Sequence, residues 1–419
     1  MFPKRIKPLH ITDSTLVTAL GRGRQANWDR IRQGQSGLKP CDFPRAENLQ
    51  TWIGEVEGLD RQVLAESLAD YDCRNNRLSS LALEQDDFLD SVERLKKTYG
   101  CKRVGVFVGT STSGIQSTES AYEVWLKAGG EGRLPSDYHY QTTHAIGSTS
   151  EFVRAYLGLS GIFNSVSTAC SSSAKVFASA QRAIAAGFCD AAIVGGVDSL
   201  CLTTLHGFHS LQVTASDICR PSDKNRSGIS IGEAAGFAIL EKQPNAEAQV
   251  CLLGYGESGD AYHMSSPHPE GLGAAAAMRD ALARAGRDAS DVDYVNLHGT
   301  GTLANDAAEA NAVKALLGEQ VACSSTKGWT GHTLGAAGIV EAIIAQQSLA
   351  DDYLPQSLNT LEVDPDISIN ILQAPLRQKN KLVLSNSFGF GGSNCCLAIG
   401  DAASVEMEPE TEPETETEK

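Results

Sequence analysis

The 419-residue sequence predicts an α/β fold in which buried sheets lie between helical layers, and three observations predict it. Short β-type runs alternate with helix-type segments from residue 1 to about 404. Several of the β-type runs are continuously apolar, the pattern of strands covered on both faces. The stretches between them are Ala-rich and of helical length, and small side chains let helices pack closely.

Taken in order, the expected strands are VGVFVG (104–109), FNSVST (163–168), AAIVGGV (191–197), GFAILE (236–241), YVNLH (294–298), VACSS (321–325) and KLVLSN (381–386). The expected helices are SSAKVFASAQRAIAAG (172–187), GAAAAMRDALARAG (273–286) and GAAGIVEAIIAQQSLA (335–350). Residues 30–100 are more polar and lack alternation, and read as helices and loops decorating the first half. No short-period repeat is present. The last residues, EMEPETEPETETEK, are acidic and Pro-punctuated, cannot bury apolar surface, and predict a disordered tail over 405–419.

Composition narrows the function. With 42% hydrophobic residues the chain can bury a large core. Its net charge is −16, of which Glu406 to Lys419 carry about −6. The remainder is mildly acidic, which argues against broad nucleic-acid binding but leaves room for a small basic docking patch. Eleven scattered cysteines without a CxxC predict free thiols, a reducing compartment and a cytoplasmic protein. No apolar run follows the basic residues of MFPKRIKPLHITDSTL, so no signal peptide is expected. No window approaches 18 consecutive apolar residues, so no membrane span is expected.

Four segments carry chemistry. In NSVSTACSSSAKVFASAQRA a strand-like run ends and a helical pattern follows Cys170 at once. A cysteine at a helix N-terminus gains from the dipole and free N–H groups, which favour the thiolate nucleophile. The other reading is a buried structural cysteine. In YVNLHGTGT, His298 falls at a strand's carboxyl end, where α/β sites open. Thr300 and Thr302 offer hydroxyls there, while Asp306 and Glu309 read as helix N-terminal charges. In SSTKGWTGHTLGAAGIVEAI, Lys327 and His332 share a glycine-punctuated loop, and a cation there keeps a histidine neutral. Glu341 in the following apolar helix is a candidate charge partner. In NSFGFGGSN, a flexible loop around Phe388 and Phe390 can lend backbone N–H groups to an oxyanion and swing an aromatic ring. His206 and His209 lack a third ligand, so no metal is expected, and GTSTSG (109–114) lacks the Gly-Lys-Ser/Thr ending of a P-loop.

TACSSS around Cys170, HGTGT at His298, KGWTGHTLGAAG from Lys327 and NSFGFGGSN at 386–394 together resemble the elongating β-ketoacyl-acyl carrier protein synthases, in family order over residues 5–402. The resemblance implies a thiolase-type five-layer αβαβα fold made of two similar halves. It divides the chain into an N-terminal half, 1–250, bearing Cys170, and a C-terminal half, 251–404, bearing His298 and His332. Cys170 matches the acyl-accepting nucleophile, and His298 and His332 match the two catalytic histidines. Lys327 matches the lysine supporting the second histidine. Phe390 matches the gate whose N–H joins that of Cys170 in the oxyanion hole. Thr300 and Thr302 match contacts to the phosphopantetheine arm, Phe388 lies with the substrate-binding positions, and Glu341 matches a structural glutamate.

The implied reaction loads an acyl chain on Cys170 and lengthens it by two carbons through decarboxylative Claisen condensation with malonyl-acyl carrier protein. No cofactor is implied beyond the carrier's phosphopantetheine. The implied partners are acyl carrier protein and a second subunit, in a homodimer or in a heterodimer with a chain-length-factor-like chain. TACSSS looks more like polyketide-type ketosynthases, so the pathway is fatty-acid or polyketide-type, aryl polyene included. IKPLHITDSTLVTALGRG departs from the family's usual start. Three alternatives remain open: a non-decarboxylating thiolase using Cys395 or Cys396, a non-catalytic partner subunit, and a Cys-His hydrolase. Lys127, Arg133 and Arg74 are candidate cations for carrier docking.

Overall fold

Continuous apolar runs become strands with both faces covered, as the sequence predicts. The structure, a computed structural model, describes residues 4–243 and 250–401, so the expected tail at 405–419 lies outside the described residues. Five strands form a first sheet: β1 (Leu9–Thr18), β2 (Val104–Gly109), β3 (Phe163–Val166), β4 (Ala191–Asp198) and β5 (Ala234–Glu241). Their order is β3-β2-β4-β5-β1. β2 runs parallel to β3 and β4, while β5 is antiparallel to β4 and β1.

The second sheet repeats that plan. It comprises β6 (Val250–Gly259), β7 (Tyr294–Asn296), β8 (Ala322–Ser324), β9 (Asn370–Ile371), β10 (Leu382–Gly389) and β11 (Ser393–Asp401). Its order is β9-β8-β7-β10-β11-β6, with β7 parallel to β8 and β10, and β11 antiparallel to β10 and β6. β9 is an added edge. The two sheets are continuous through a short antiparallel pairing, Leu9 with Leu252 and His10 with Cys251.

Helices α1 (Arg74–Leu83), α2 (Phe88–Tyr99) and α3 (Gly147–Tyr156) cover the outer face of the first sheet. Helix α4 (Ser172–Ala185) lies on its inner face, and α5 (Leu202–Ser210) follows β4. Helices α6 (Leu272–Ala285) and α7 (Leu303–Leu317) cover the outer face of the second sheet. Helix α8 (Ala337–Asp351) packs beside α4 between the sheets. Three apolar clusters thus separate five layers, αβαβα, the thiolase-type arrangement expected. The middle cluster joins Val176, Phe177 and Ile184 of α4 to Ile339, Ile343 and Ile344 of α8. No helix among the described residues is long and apolar enough to cross a membrane.

Small residues set how closely α4 approaches the sheet. A Cβ at Gly196 would meet Ser173 Cβ at 2.4 Å, so the first turn of α4 rests directly on β4. That contact delivers Cys170, two residues before the helix, to the carboxyl ends of the parallel strands.

The predicted strands and helices are present, with shifted ends. FNSVST ends as a strand at Val166 and YVNLH at Asn296, because each chain then turns into the site. The helix expected from 335 starts at Ala337, after a 3-10 turn over Leu334–Ala336. Residues 30–100 do hold helices and loops, plus short strands Lys39–Pro40 and Trp52–Gly54. Four strands were not legible, the two-residue edge β9 among them. β1 carries buried Ser14 and Thr15 and shifts register between Ile11 and Asp13. Its polar groups are bonded, Ser14 Oγ to Gln346 Oε1 at 2.6 Å and Thr15 Oγ1 to the Ala82 carbonyl at 2.8 Å. Left unbonded, each would cost about 1–3 kcal/mol. Gly254 and Gly256 interrupt the apolar run of β6, and β11 opens on the polar pair Ser393–Asn394.

Candidate active site

Each of the key side chains stands in a turn. Ala169 adopts φ 53°, a left-handed conformation uncommon for a residue with a Cβ, and this bends the chain sharply before Cys170. His298 follows β7, and His332 follows a short helical turn, Lys327–Thr330. The Cys170 sulfur and one nitrogen from each histidine all lie within 4.8 Å of one another, and all three residues are buried. The two imidazole rings are 5.2 Å apart at 84°.

Burial dominates the thiol. The sequence reading expects a helix start to favour the thiolate, but the Cys170 thiol is pushed up to about 11. Desolvation is the largest cause; the Lys327 charge and the Phe390 N–H pull the other way, and the Asp198 charge adds to the rise. The N–H groups of Cys170 and Phe390 both bond toward the sulfur, so two donors already converge where an oxyanion would form.

Both histidines are held by donors at Nδ1. The Leu334 N–H donates to His332 Nδ1 at 3.2 Å. The Lys327 ammonium stands 3.4 Å from His298 Nδ1 and donates to the His298 carbonyl oxygen at 2.5 Å. An Nδ1 that accepts leaves the neutral ring's proton on Nε2. Burial first, then the Lys327 charge, holds both imidazoles well below the ordinary histidine value, so both are neutral. The contact of Lys327 is therefore with His298; it acts on His332 through charge, where the family resemblance implied support of the second histidine. Its buried counter-ion is Glu341, as expected, and burial pushes that carboxyl up to about 7.

Cysteine and two histidines at this spacing are also a soft donor set for a cation. Metal-bound histidine, however, donates its second N–H to an acceptor. Here each Nδ1 faces a donor, so the surroundings of the rings do not fit a metal ligand.

Glu309, read from sequence as a helix charge, fastens the His298 turn. It accepts from the N–H groups of His298 and Gly299 at 2.8 Å each and from Asn386 Nδ2 at 3.0 Å. Asp306 accepts from Gly301 N and Ser222 N. The Thr300 and Thr302 hydroxyls are 2.9 Å apart, and Thr302 also caps α7 by accepting from Asn305 N. Phe388 packs against His298 with ring centres 5.8 Å apart.

Two cavities meet at the sulfur. One of about 230 Å³, on the histidine side, is lined by His298, Thr300, Thr302, His332 and Phe388. A second, apolar one of about 490 Å³ opens beside α5 and is lined by Ile115, Thr203, Gly207 and Leu334. Cys170, Phe208, Leu211 and Phe390 line both, and the rings of Phe208 and Phe390 are 5.6 Å apart between them. Sequence reasoning missed Phe208, Leu334 and Asp198. The signal for Asp198 was a carboxylate closing the apolar run AAIVGGVD.

Other sequence expectations find different places. Arg74 is buried in ion pairs with Glu233, Glu55 and Asp60, so it is not a docking cation. Lys127 is exposed and pairs with Glu123. His206 bonds to the Arg45 carbonyl and His209 to Thr214. Cys395 and Cys396 are buried within β11 and line neither cavity, which removes the placement that a thiolase would require.

Comparison with known proteins gives a consistent picture. A model described as the N-terminal domain of beta-ketoacyl synthase matches residues 7–246, and one described as its C-terminal domain matches 250–361. The chain is 39% identical to a 3-oxoacyl-[acyl-carrier-protein] synthase 2 of Rhizobium meliloti, over 93% of this chain and 97% of that one. It is 32% identical to the synthase of the same name from Vibrio cholerae, over 92% of this chain and 96% of that one. Among solved structures it resembles the ketosynthase ApeO of Xenorhabdus doucetiae, determined in complex with its chain length factor ApeC. That likeness has a TM-score of 0.86 and 36% identity, over 94% of this chain and 98% of that one.

Proposed function

The chain belongs to the β-ketoacyl synthase family, and from that premise we propose that it lengthens acyl chains on acyl carrier protein by two carbons, with Cys170 as nucleophile and His298 and His332 as the pair that stabilises the enolate. One observation carries this reading. A thiol and two donor-locked imidazoles converge where two cavities meet, one apolar and one that adds the Thr300 and Thr302 hydroxyls. A single-cavity hydrolase needs no second imidazole donor.

The reaction runs in two halves. An acyl thioester first lies with its chain in the apolar cavity beside α5. Sulfur attack builds charge on the carbonyl oxygen, which the N–H groups of Cys170 and Phe390 receive. The carrier thiol leaves with the proton that Cys170 gives up, and an acyl-Cys170 thioester remains. The malonyl arm of its carrier protein then enters the histidine-side cavity, where Thr300 and Thr302 face the phosphopantetheine. The bond to the carboxylate breaks, carbon dioxide leaves, and the electron pair spreads onto the thioester oxygen. The Nε2–H groups of His298 and His332 donate to that oxygen. The carbanion attacks the acyl carbonyl, the Cys170 thiolate departs, and a solvent proton restores the thiol.

No cofactor beyond the carrier's phosphopantetheine enters these steps. All eleven cysteines are free thiols, which supports a reducing, cytoplasmic setting. The halves are read as 1–250 and 251–404, supported by the repeated sheet plan and the two family-model spans. The pathway is read as fatty-acid or polyketide-type, aryl polyene included. For quaternary structure we read a dimer, either of two copies or with a chain-length-factor-like chain. The similar ketosynthase solved with its chain length factor favours the second, and Ile162 and Phe163 expose apolar surface on the edge strand β3 and its approach. Incubation with a panel of acyl-carrier proteins and malonyl-carrier protein, read by mass spectrometry, tests the reaction. Chains longer by two carbons with carbon dioxide release support it; free acid without elongation overturns it.

A further inference from the structure

The loop GTSTSG, 109–114, has no part in the steps above, yet its hydroxyls and amides turn onto one carboxylate. Asp198 closes β4 and is fully buried. Its Oδ1 accepts from Thr110 Oγ1 at 2.7 Å, Ser111 N at 2.8 Å, Thr112 N at 2.9 Å and Thr112 Oγ1 at 2.8 Å. Its Oδ2 accepts from the Ser111 hydroxyl and from Gly335 N at 2.6 Å. Every partner is a donor, so an acceptor-only carboxylate satisfies all of them at once.

Gly335 connects this carboxylate to the histidine. It follows Leu334, which sits at φ 52° and donates its N–H to His332 Nδ1. A Cβ at 335 would meet Asp198 Oδ2 and Ser111 N at 2.7 Å each, so the turn, the loop and the carboxylate fit without slack. Loss of the Asp198 bond would free the peptide that keeps the Leu334 N–H aimed at the ring.

We propose that Asp198 is a positioning residue for the condensation: by bonding Gly335 N–H to the 110–112 loop it holds the Leu334 amide on His332 Nδ1, and so keeps Nε2–H of His332 directed at the malonyl thioester. The role rests on the assignment of His332 made above. It also predicts opposed effects. Cys170 faces the Lys327 charge, which favours its thiolate, the Asp198 charge, which disfavours it, and the neutral rings of His298 and His332. Replacing Asp198 with Asn sets an amide N–H against the Gly335 or Ser111 N–H, and removes the charge that opposes the thiolate.

The test compares the full-length chain with Asp198→Asn in two assays: carbon dioxide release from malonyl-carrier protein, and iodoacetamide alkylation of Cys170 across pH. Release is expected to fall by about tenfold or more in kcat with KM within about twofold, while alkylation is as fast or faster and titrates at lower pH. Parallel loss in both assays, or loss in neither, overturns the role. Gly335→Ala strains the same link from the other side and serves if Asp198→Asn does not fold. Slower release with normal alkylation supports the role, and unchanged release overturns it. A native chain that releases no carbon dioxide overturns the reaction assignment and this role together; an active native chain with an equally active Asp198→Asn overturns this role alone.

Discussion

Lys327 Nζ stands 3.4 Å from His298 Nδ1, bonds the carbonyl of the same residue, and has Glu341 as its buried counter-ion. One ammonium therefore orients a ring, lowers two imidazoles and favours a thiolate. Lys327→Ala is expected to let both histidines titrate nearer their ordinary value. An imidazolium would pair with the malonyl carboxylate and oppose its loss. The acid limb of the decarboxylation profile thus moves to higher pH; an unmoved limb refutes the coupling. The lone substitution also strands Glu341, at a cost of about 3–5 kcal/mol. Lys327→Met with Glu341→Gln should recover most of that stability in chemical denaturation without restoring the pH profile.

Much of this centre was legible in the chain. Cys170, His298, Lys327 and His332 sit in turns that the residue pattern marks, Glu341 sits in the apolar helix after them, and the structure brings them together. The backbone donor to His332 was not legible, because the Leu334 N–H depends on a left-handed turn that no side chain announces. Nor was the state of the thiol: helix position argues one way and burial the other, and burial is a property of the packed layers. β1 was obscured because its buried Ser14 and Thr15 find partners, Gln346 and Ala82, that are distant in sequence.

A buried thiol near 11 predicts slow alkylation at neutral pH, rising about tenfold per pH unit up to about pH 11. Cys170→Ala should abolish elongation. Cys170→Gln should retain carbon dioxide release from malonyl-carrier protein, since the two imidazoles remain. Elongation by either variant would place the nucleophile elsewhere.

The apolar cavity beside α5 suggests a way to shorten the product. Gly207 in α5 lines it, and a Cβ there would meet nothing within 4 Å. Gly207→Leu projects a side chain into space that the acyl chain uses, and leaves the backbone undisturbed. Replacing a helical glycine should also add up to about 1 kcal/mol of stability. The expected result is a product distribution shifted to shorter chains with an unchanged or higher melting temperature. Unchanged lengths would mean that the acyl chain does not occupy this cavity.

Glu309 links acidity to the geometry of His298. Burial pushes its carboxyl up to about 7, while the His298, Gly299 and Asn386 N–H groups pull it down. The folded value lies above the unfolded one of about 4.3, so the folded state binds the extra proton. Stability from this group is full below about pH 4 and is lost as pH rises toward 7, where the ionised form has the better hydrogen bonds but the greater desolvation. Glu309→Gln removes the titration, so the fall in melting temperature between about pH 5 and 7 should flatten. The amide must also turn an N–H toward one of three donors, which loosens the His298 turn and should lower kcat by about tenfold. A variant with native kcat would show that the carboxylate is not needed to hold His298 in place.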